Sequence, residues 1–248
     1  MHYKYQINSD EKECLDFLLD IESNFLTNEQ SIHKARNELK IIACKEKSTV
    51  VKSFKVPHLL NKIVYTFFRD TKAKKSYEYS LKIENFTPKP IGYIEFYNFF
   101  LLTKSYFVSE NFNYDFTIRE PLLDENFENR EAIFKAFATF TYTLHQDNIL
   151  HQDYSPGNIL IKKDENNYIF KVVDINRMKF KELNLSERMQ NFSKLWASDE
   201  ALSIMLKEYA KVAHEDERKC LMVGLEFSRA HKKRKNFKKR LKGECVVD

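Results

Sequence analysis

The chain has 248 residues, of which 43% are hydrophobic and 14% aromatic, with only four glycines and five prolines. This composition is typical of a folded protein with a sizeable core, and it excludes a disordered or low-complexity chain. The formal net charge is a modest +5, no apolar run is long enough to span a bilayer, and no cleaved signal peptide is expected at the first residues.

The first predicted elements are one helix and a strand pair. From residue 9 to about residue 30, apolar residues recur at helical spacing, and they are Cys14, Phe17, Leu18, Ile21 and Phe25. The runs LKIIAC (39–44) and TVVKSF (49–54) flank the polar turn KEKS, which predicts an antiparallel pair.

A helical segment, two strands and a strong helix are predicted next. Residues 58–86 read as helical in two pieces, ended by prolines. IGYIEFY (91–97) and KSYFVSENF (104–112) read as strands. Residues 130–145 are predicted as an amphipathic helix, because apolar residues recur along one of its faces.

The remainder is predicted to be a hairpin followed by helices. NILIKK (158–163) and YIFKVVD (168–174) are joined by an Asp-Glu-Asn-Asn turn, and everything from Asn184 onward reads as helical. No linker rich in Pro, Gly or Ser separates the strand-rich half from the helical half. The sequence therefore predicts an α+β fold of two packed lobes, 1–112 and 113–248.

The word Leu-His-Gln-Asp occurs twice, at 144–147 and again at 150–153. The second copy continues as H-x-D-x-x-x-x-N to Asn158, a predicted strand follows at once, and Asp174 ends the hairpin. The first copy has neither the asparagine nor the strand. It is predicted to be only a helix end, where Asn148 tolerates the left-handed backbone that such an end often needs.

The second copy and Asp174 resemble the catalytic loop and metal-binding aspartate of the protein-kinase-like superfamily. In that superfamily one carboxylate accepts the proton of the attacking hydroxyl, while an amide oxygen and a second carboxylate hold divalent metals. The resemblance implies a two-lobed protein-kinase-like fold, with ATP as phosphoryl donor and Mg²⁺ as metal. It implies Asp153 as the catalytic base and Asn158 and Asp174 as metal ligands.

The first half offers an independent match to the same superfamily. Val50-Val51-Lys52 resembles V-A-I-K, in which a strand lysine contacts the nucleotide phosphates and pairs with a helix glutamate. The resemblance implies that role for Lys52, with Glu78 as its partner. Lys55 is the alternative for the lysine and Glu84 for the glutamate.

The position of the hinge fits the superfamily, while several motifs differ from its usual pattern and indicate which type of kinase is present. Glu110 and Phe112 fall where the resemblance places the hinge that meets adenine through backbone groups. The KEKS turn contains no glycine, so no glycine-rich flap over the phosphates is predicted. Asp174 is followed by Ile-Asn-Arg, and no A-P-E segment is present. These features exclude an ordinary regulated protein kinase and favour a compact bacterial type that acts on a small substrate.

The remaining motifs resemble the lipopolysaccharide kinase (Kdo/WaaP) family between about residues 30 and 180. They are RNELK, VVKSFK, NKIVYTFFRDTKAKKSYE, PKPIGYIE, HQDYSPGN and DINR. The resemblance implies ATP-dependent phosphorylation of a sugar hydroxyl, Kdo or heptose, in the inner core of lipopolysaccharide. It also implies a lipid-linked core oligosaccharide as acceptor, and a cytoplasmic enzyme at the inner face of the inner membrane.

A basic segment, HKKRKNFKKRLK, covers residues 231–242 with eight Lys or Arg in twelve positions. It is compatible with the solvated face of a last helix. It is also compatible with peripheral contact to anionic membrane lipid or to the acidic sugars of a glycolipid acceptor. Nucleic acid is not expected as a partner, because no nucleic-acid-binding fold accompanies the segment.

Two other functions stay open. The same chemistry could act on another small molecule or on a protein serine, as in the compact RIO-like kinases. An inactive pseudokinase that only binds ligands is favoured by the missing glycine loop. The intact set of Lys52, Asp153, Asn158 and Asp174 argues against it.

A few single residues carry structural predictions. His151 is expected to orient the loop by hydrogen bonding, and Trp196 is expected to lie in the core. The four cysteines are scattered, without a CxxC pair or metal-ligand spacing, and are predicted to be reduced thiols.

Overall fold

The structure, a computed structural model, describes residues 2–29, 31–34, 37–55, 69–165 and 167–243. The chain divides into two compact units, Met1–Asn113 and Tyr114–Asp248. Across the described ranges, none of the helices has both the length and the apolar character needed to cross a membrane.

The first unit is built on an antiparallel sheet. In the described ranges its strands are β1 (His2–Ile7), β2 (Ser31–Lys34), β3 (Asn37–Cys44), β4 (Lys47–Phe54), β5 (Pro90–Asn98) and β6 (Leu101–Glu110). Their spatial order is β1-β5-β6-β4-β3-β2. The four predicted strands are confirmed as β3 to β6. The sequence analysis missed β1, which is exposed along nearly its whole length, and β2, which is only four residues long.

The predicted N-terminal helix breaks into three pieces. They are a 3₁₀ segment (Ser9–Cys14), α1 (Leu15–Leu19) and α2 (Ile21–Thr27). The pieces are separated at Cys14 and Asp20, and the 3₁₀ segment itself has a kink at Glu11, whose backbone is not helical. Glu11 turns inward to accept hydrogen bonds from two lysines of the sheet region, which a continuous helix would not allow. The predicted apolar stripe is nevertheless buried against one face of the sheet.

The prediction of reduced cysteines is wrong for Cys14 and Cys44. They form a disulfide between the 3₁₀ segment and β3, with Cα atoms 6.1 Å apart. The pairing depends on how the N-terminal helices pack on the sheet, which cysteine spacing does not reveal. Cys220 is a buried free thiol, and Cys245 lies outside the described residues.

The opposite face of this sheet carries α3 (Lys72–Lys82), which begins at the N-cap Thr71. Phe54, Tyr77 and Tyr93 pack between the helix and the sheet. A short 3₁₀ segment, Glu84–Phe86, follows the helix. The first of the two predicted helical pieces, up to residue 68, lies outside the described residues.

The second unit is mainly helical. Its helices in the described ranges are α4 (Arg119–Leu123), α5 (Arg130–Gln146), α6 (Leu185–Phe192), α7 (Asp199–Ala213) and α8 (Glu217–Leu241). Helix α5 confirms the predicted amphipathic helix, and Ile133, Phe134 and Phe137 on its apolar face are fully buried. Helices α7 and α8 pack closely at Gly224, where a Cβ atom would lie 2.5 Å from Leu206 Cδ1.

Short strands frame the loop between α5 and the hairpin. The predicted hairpin is confirmed as β9 (Ile159–Asp164) and β10 (Asn167–Val172), and β7 (Phe116–Thr117) pairs with β9. Strand β8 (Ile149–His151) pairs with β11 (Met178–Phe180). The second copy of the repeated word therefore runs from β8 into the loop that leads to β9.

Candidate active site

His151 holds the loop that carries Asp153. The ring Nε2 donates to the carbonyl oxygen of Val173 at 2.9 Å, and Nδ1 accepts from the backbone N–H of Asp153 at 3.1 Å. Both bonds require the neutral ring with its proton on Nε2. Burial lowers the pKa of His151, which favours this neutral form. The predicted role of His151 in orienting the loop is confirmed.

The loop also closes on itself around the backbone of Asp153. The Asp153 carbonyl accepts the Asn158 Nδ2 group at 2.9 Å and the Ser155 N–H at 2.7 Å. Because its amide nitrogen is engaged here, Asn158 presents its amide oxygen as the atom that a cation could bind.

Asp174 follows the hairpin beside Asn158. The N–H of Val173 donates to the carbonyl of Asn158 at 2.9 Å, so the two predicted metal ligands lie on adjoining backbone. Asp174 has a left-handed backbone, with φ of 57°, and its Oδ1 accepts from Asn176 Nδ2 at 2.6 Å. A left-handed backbone at a non-glycine residue is strained, and such strain is concentrated at functional sites.

The chemistry of these donors fits magnesium. Mg²⁺ in phosphoryl-transfer sites is bound by one or two protein oxygens, with substrate phosphates and water completing the shell. Asn158 and Asp174 supply one amide and one carboxylate. The described residues hold no group of three or more His, Cys, Asp or Glu side chains that could bind a metal without a substrate.

Arg177 forms an ion pair with Asp153, the predicted base. The guanidinium comes from the residue just before β11, which pairs with the strand that ends at His151. The sequence analysis did not assign a role to Arg177. The structure shows that it contacts the carboxylate on which the predicted chemistry depends.

The first copy of the repeated word supports the second through Asn191 of α6. His145 contacts the Tyr209 hydroxyl at 2.9 Å through Nδ1 and Asn191 Oδ1 at 3.1 Å through Nε2. Asn191 Nδ2 in turn donates to the carbonyl of His151 at 3.0 Å. Burial lowers the pKa of His145 to about 4. Asn148 does have the predicted left-handed backbone, but the first copy is more than a helix end.

In the first unit, Lys52 lies at the centre of the sheet. In the strand register it stands opposite Leu39 of β3 and Phe107 of β6. Its Nζ lies 5.4 Å from the ring centroid of Phe54, which packs against α3. Lys52 is therefore on the sheet face that α3 covers, whereas Lys55 is exposed beyond the strand.

Glu78 lies on α3, as predicted. Its carboxylate is 3.6 Å from Lys74 Nζ of the same helix, and the pairing with Lys52 stays a prediction. Glu84 is exposed after the helix. A carboxylate that the sequence analysis missed is Glu95 of β5, which is buried and accepts from the Thr71 hydroxyl at 2.5 Å. Because Thr71 is the N-cap, Glu95 fixes the start of α3 to the sheet.

Glu110 and Phe112 lie at the end of the first unit. The N–H of Glu110 donates to the Lys89 carbonyl, and the N–H of Asn111 donates to the Ser48 carbonyl, both at 2.9 Å. These two backbone donors are thus already engaged.

A cavity of about 600 Å³ opens beside Asp153 within the second unit. Gln152, Ser155 and Arg177 line it on the side of the loop. The other wall is formed by Lys194, Trp196, His231, Lys235 and Lys239. His231, Lys235 and Lys239 lie at i, i+4 and i+8 on α8, inside the basic segment 231–242. This helical spacing is the feature of the sequence from which the wall of the cavity could have been predicted.

The prediction that Trp196 lies in the core is wrong. Its side chain is 39% exposed and lines the cavity. The residue follows a 3₁₀ segment, Ser193–Leu195, and has a left-handed backbone with φ of 58°. Its ring contacts His231 and Lys239 of α8.

The chain is similar to several known proteins. Residues 117–234 match the model of the "Lipopolysaccharide kinase (Kdo/WaaP) family". The solved structure "WaaP in complex with acyl carrier protein" is similar, with a TM-score of 0.60, 12% identity, and coverage of 93% of this chain and 98% of that chain. A Rio2 kinase–ADP/Mg²⁺-phosphoaspartate complex from Chaetomium thermophilum has a TM-score of 0.46 and 15% identity over 85% of this chain and 66% of that chain. No curated protein sequence matches the chain.

The likeness to the WaaP structure over nearly the whole of both chains confirms the predicted two-lobed protein-kinase-like fold. The matched segment contains Asp153, Asn158 and Asp174, and it also contains Lys194 and Trp196 of the cavity wall. The predicted resemblance to the lipopolysaccharide kinase (Kdo/WaaP) family is confirmed over residues 117–234.

Proposed function

We propose that the protein transfers the γ-phosphoryl group of ATP to a sugar hydroxyl, of Kdo or heptose, in the inner core of lipopolysaccharide. The observation that carries the proposal is the loop 151–158, whose hydrogen bonds place Asp153 and Asn158 beside Asp174. The match of residues 117–234 to the lipopolysaccharide kinase family model supports the acceptor class.

In the proposed reaction, Asp153 accepts the proton of the acceptor hydroxyl as its oxygen forms a bond to the γ-phosphorus. The bond between the γ-phosphorus and the bridging oxygen breaks, and ADP leaves. Asn158 and Asp174 would hold Mg²⁺, which neutralises charge on the transferring group. Arg177 keeps the Asp153 carboxylate in place until the acceptor enters.

The nucleotide would be bound by the first unit. Lys52 is proposed to contact the ATP phosphates from the sheet face under α3, with Glu78 as its anchor. Glu110 and Phe112 are proposed as the adenine segment. The engaged N–H of Glu110 favours Phe112 as the residue whose backbone meets the base.

The test is magnesium-dependent ATP turnover with and without purified lipid-linked core oligosaccharide, for the wild type and for Asp153→Asn. Removing the base should lower transfer by about 10³-fold, while ATP binding is retained. The repeated word provides a matched control, since Asp147→Asn makes the same change at an exposed position of the first copy. That variant should keep wild-type turnover.

Other outcomes would separate the alternatives. Turnover on another small molecule or on a protein serine, but not on the glycolipid, would keep the kinase and reject the lipopolysaccharide acceptor. No turnover and no ATP binding would favour the pseudokinase. Equal loss of transfer in Asp147→Asn and Asp153→Asn would contradict the assignment of the second copy as the site.

We also propose that the enzyme works in the cytoplasm, in peripheral contact with anionic lipid at the inner face of the inner membrane. One face of α8 combines Lys233 and Arg240 with Phe237 and Leu241, at spacing i, i+4, i+7 and i+8. Phe237 is 61% exposed and Leu241 is 72% exposed. Cations beside exposed apolar side chains are typical of helices that lie at a membrane interface.

A further inference from the structure

The cavity beside Asp153 is strongly cationic. Arg177, Lys194, Lys235 and Lys239 line it, and Asp153, already paired with Arg177, is the acidic residue of its lining. Among the described residues, the ion pairs of the second unit leave the three lysines without a carboxylate partner. Several positive charges therefore share one concave surface, which attracts an anion.

The lowered pKa values of two residues in the wall of the cavity support the binding of an anion. Burial lowers the pKa of Lys194, and the neighbouring charges of Arg234 and Lys235 lower it further. Burial, with the same cationic neighbours, lowers the pKa of His231 to about 4, so this ring is neutral near pH 7. Repulsion among cations held this close is relieved when a negative group binds between them.

Trp196 gives the cavity an apolar surface next to the cations. The Lys239 ammonium lies 5.8 Å from its ring centroid, and the His231 ring meets it edge-on at 6.0 Å. A large, partly exposed ring held in a left-handed backbone can contact the apolar face of a sugar. A flat ring beside several ammonium groups suits a sugar that carries an acidic group.

The cavity lies next to Asp153, the proposed catalytic base. Asp153 lines it, whereas Asn158 and Asp174 do not. A ligand bound in the cavity would therefore lie against the group that accepts the proton and not against the proposed metal ligands. This is the place of the phosphoryl acceptor.

We propose that the cavity binds the acceptor through a carboxylate on the sugar, held by Lys194, Lys235 and Lys239, with Trp196 against the sugar ring. The inference rests on the proposed function and names its substrate class as a sugar acid. Of the two sugars that the family resemblance leaves open, it selects Kdo, which carries a carboxylate, over neutral heptose.

Trp196 also provides the assay, because it is the single tryptophan of the chain. Its fluorescence in the full-length protein would be titrated with free Kdo, with the carboxyl-reduced neutral form of Kdo, and with inorganic phosphate. Kdo should change the fluorescence and saturate, the reduced form should not, and phosphate should compete only at higher concentration. An equal response to Kdo and its reduced form, no response to either, or tighter binding of phosphate would overturn the proposal.

Variants link the response to the wall of the cavity. Lys235→Gln and Lys239→Gln should each weaken the binding of Kdo by about tenfold, the usual loss of one charge-assisted hydrogen bond. Lys219→Gln on the same helix and Lys207→Gln on α7 make the same charge change at exposed positions outside the cavity. These controls should bind Kdo as the wild type does; an equal loss in them would overturn the assignment of the wall.

Transfer assays separate this inference from the proposed function. In Lys235→Gln the KM for a Kdo-bearing acceptor should rise about tenfold, with kcat retained. Saturable binding of Kdo without phosphoryl transfer to any acceptor would uphold the site and reject the kinase function. Transfer with the same KM for acidic and carboxyl-reduced acceptors would uphold the kinase and overturn the site.

Discussion

His145 and His151 act in the folded protein as neutral, hydrogen-bonded rings. Each is buried, and the two are joined through Asn191, which accepts from one ring and donates to the carbonyl of the other residue. Protonation of either ring would place a positive charge in a buried site, which burial disfavours. The stability of the second unit should therefore depend on pH.

We predict that the free energy of unfolding decreases as the pH falls from about 6.5 to 4. The pKa of His145 is about 4 in the folded chain, against 6.5 as its ordinary value. The unfolded chain therefore binds the proton first, and stability that is full above pH 6.5 is lost through this window, on the order of 3 kcal/mol for His145. Urea unfolding across the window measures the slope.

The matched variants for this prediction are His145→Gln and His214→Asn. His145→Gln should flatten the pH slope, at the cost of lower stability at pH 7. His214 is exposed at a helix end, so His214→Asn should keep the slope of the wild type. A slope that His145→Gln leaves unchanged would show that other groups cause it.

Sequence reasoning finds those individual site residues that belong to one loop, because their spacing along the chain is fixed. Asp153 and Asn158 come from a single eight-residue motif, and their bond is visible as Asn158 Nδ2 to the Asp153 carbonyl. Asn191 and Lys194 could not be found in this way. They reach the site because α6 packs beside the loop, and that packing is a property of the fold and not of local spacing.

The turn of the β5–β6 hairpin contains two residues that are disfavoured in this type of turn. Asn98 pairs with Leu101, so Phe99 and Phe100 form a two-residue turn, with φ of 46° and 65°. Such turns favour Asn-Gly, because a side chain with a large Cβ substituent is strained at positive φ. Both rings are also exposed, at 89% and 80%.

Replacing the turn by Phe99→Asn with Phe100→Gly should raise the free energy of unfolding by about 1–2 kcal/mol, since it relieves two left-handed residues. Chemical denaturation measures the gain. The control pair is Phe99→Ala with Phe100→Ala, which removes the rings and keeps the Cβ atoms, and it should stay near the wild type. If the alanine pair gains as much, exposure of the rings and not backbone strain is the cause.

For helix α8 we predict binding to vesicles that contain anionic lipid, decreasing with salt. Lys233→Glu with Phe237→Glu should reduce co-sedimentation several-fold, because it reverses a charge and removes an apolar contact on the outer face. Deleting 231–248 is a poorer test, since it would also remove His231, Lys235 and Lys239 from the cavity. Lys219→Gln is the control, and unchanged binding of the double variant would refute the proposed contact.

The elements predicted from the sequence were right where apolar residues are concentrated. Helix α5 buries apolar residues at helical spacing, and strand β5 is buried along nearly its whole length, so both were recognisable in the sequence. The N-terminal helix was predicted as one piece because its stripe is continuous. The kink at Glu11 accompanies the contacts of its carboxylate with Lys47 and Lys89, which are distant in sequence and which periodicity does not encode.

For the whole molecule, we predict that stability depends on the redox state. The disulfide Cys14–Cys44 closes a loop with a sequence separation of 30, which corresponds to about 3–4 kcal/mol of stabilisation in the chain-entropy description. Reductant should lower the melting temperature of the wild type. The variant Cys14→Ser with Cys44→Ser should melt at the lower temperature with or without reductant, and a further drop in that variant would contradict the assignment.

This prediction bears on the proposed cytoplasmic location. Thiols are kept reduced in the cytoplasm, so the first unit would there rely on the packing around Cys14 and Cys44 without the covalent bond. Both side chains belong to the buried cluster between the N-terminal helices and the sheet, and that cluster would persist as free thiols.

The short segment from Asn191 to Trp196 has a consequence for fidelity. Asn191 positions the carbonyl of His151, while Lys194 and Trp196, three and five residues later, line the cavity. One segment thus both steadies the base and meets the acceptor. We expect a filled cavity to tighten this segment and an empty one to leave the base less well aligned, so that ATP is protected from wasteful hydrolysis by water while no sugar is bound.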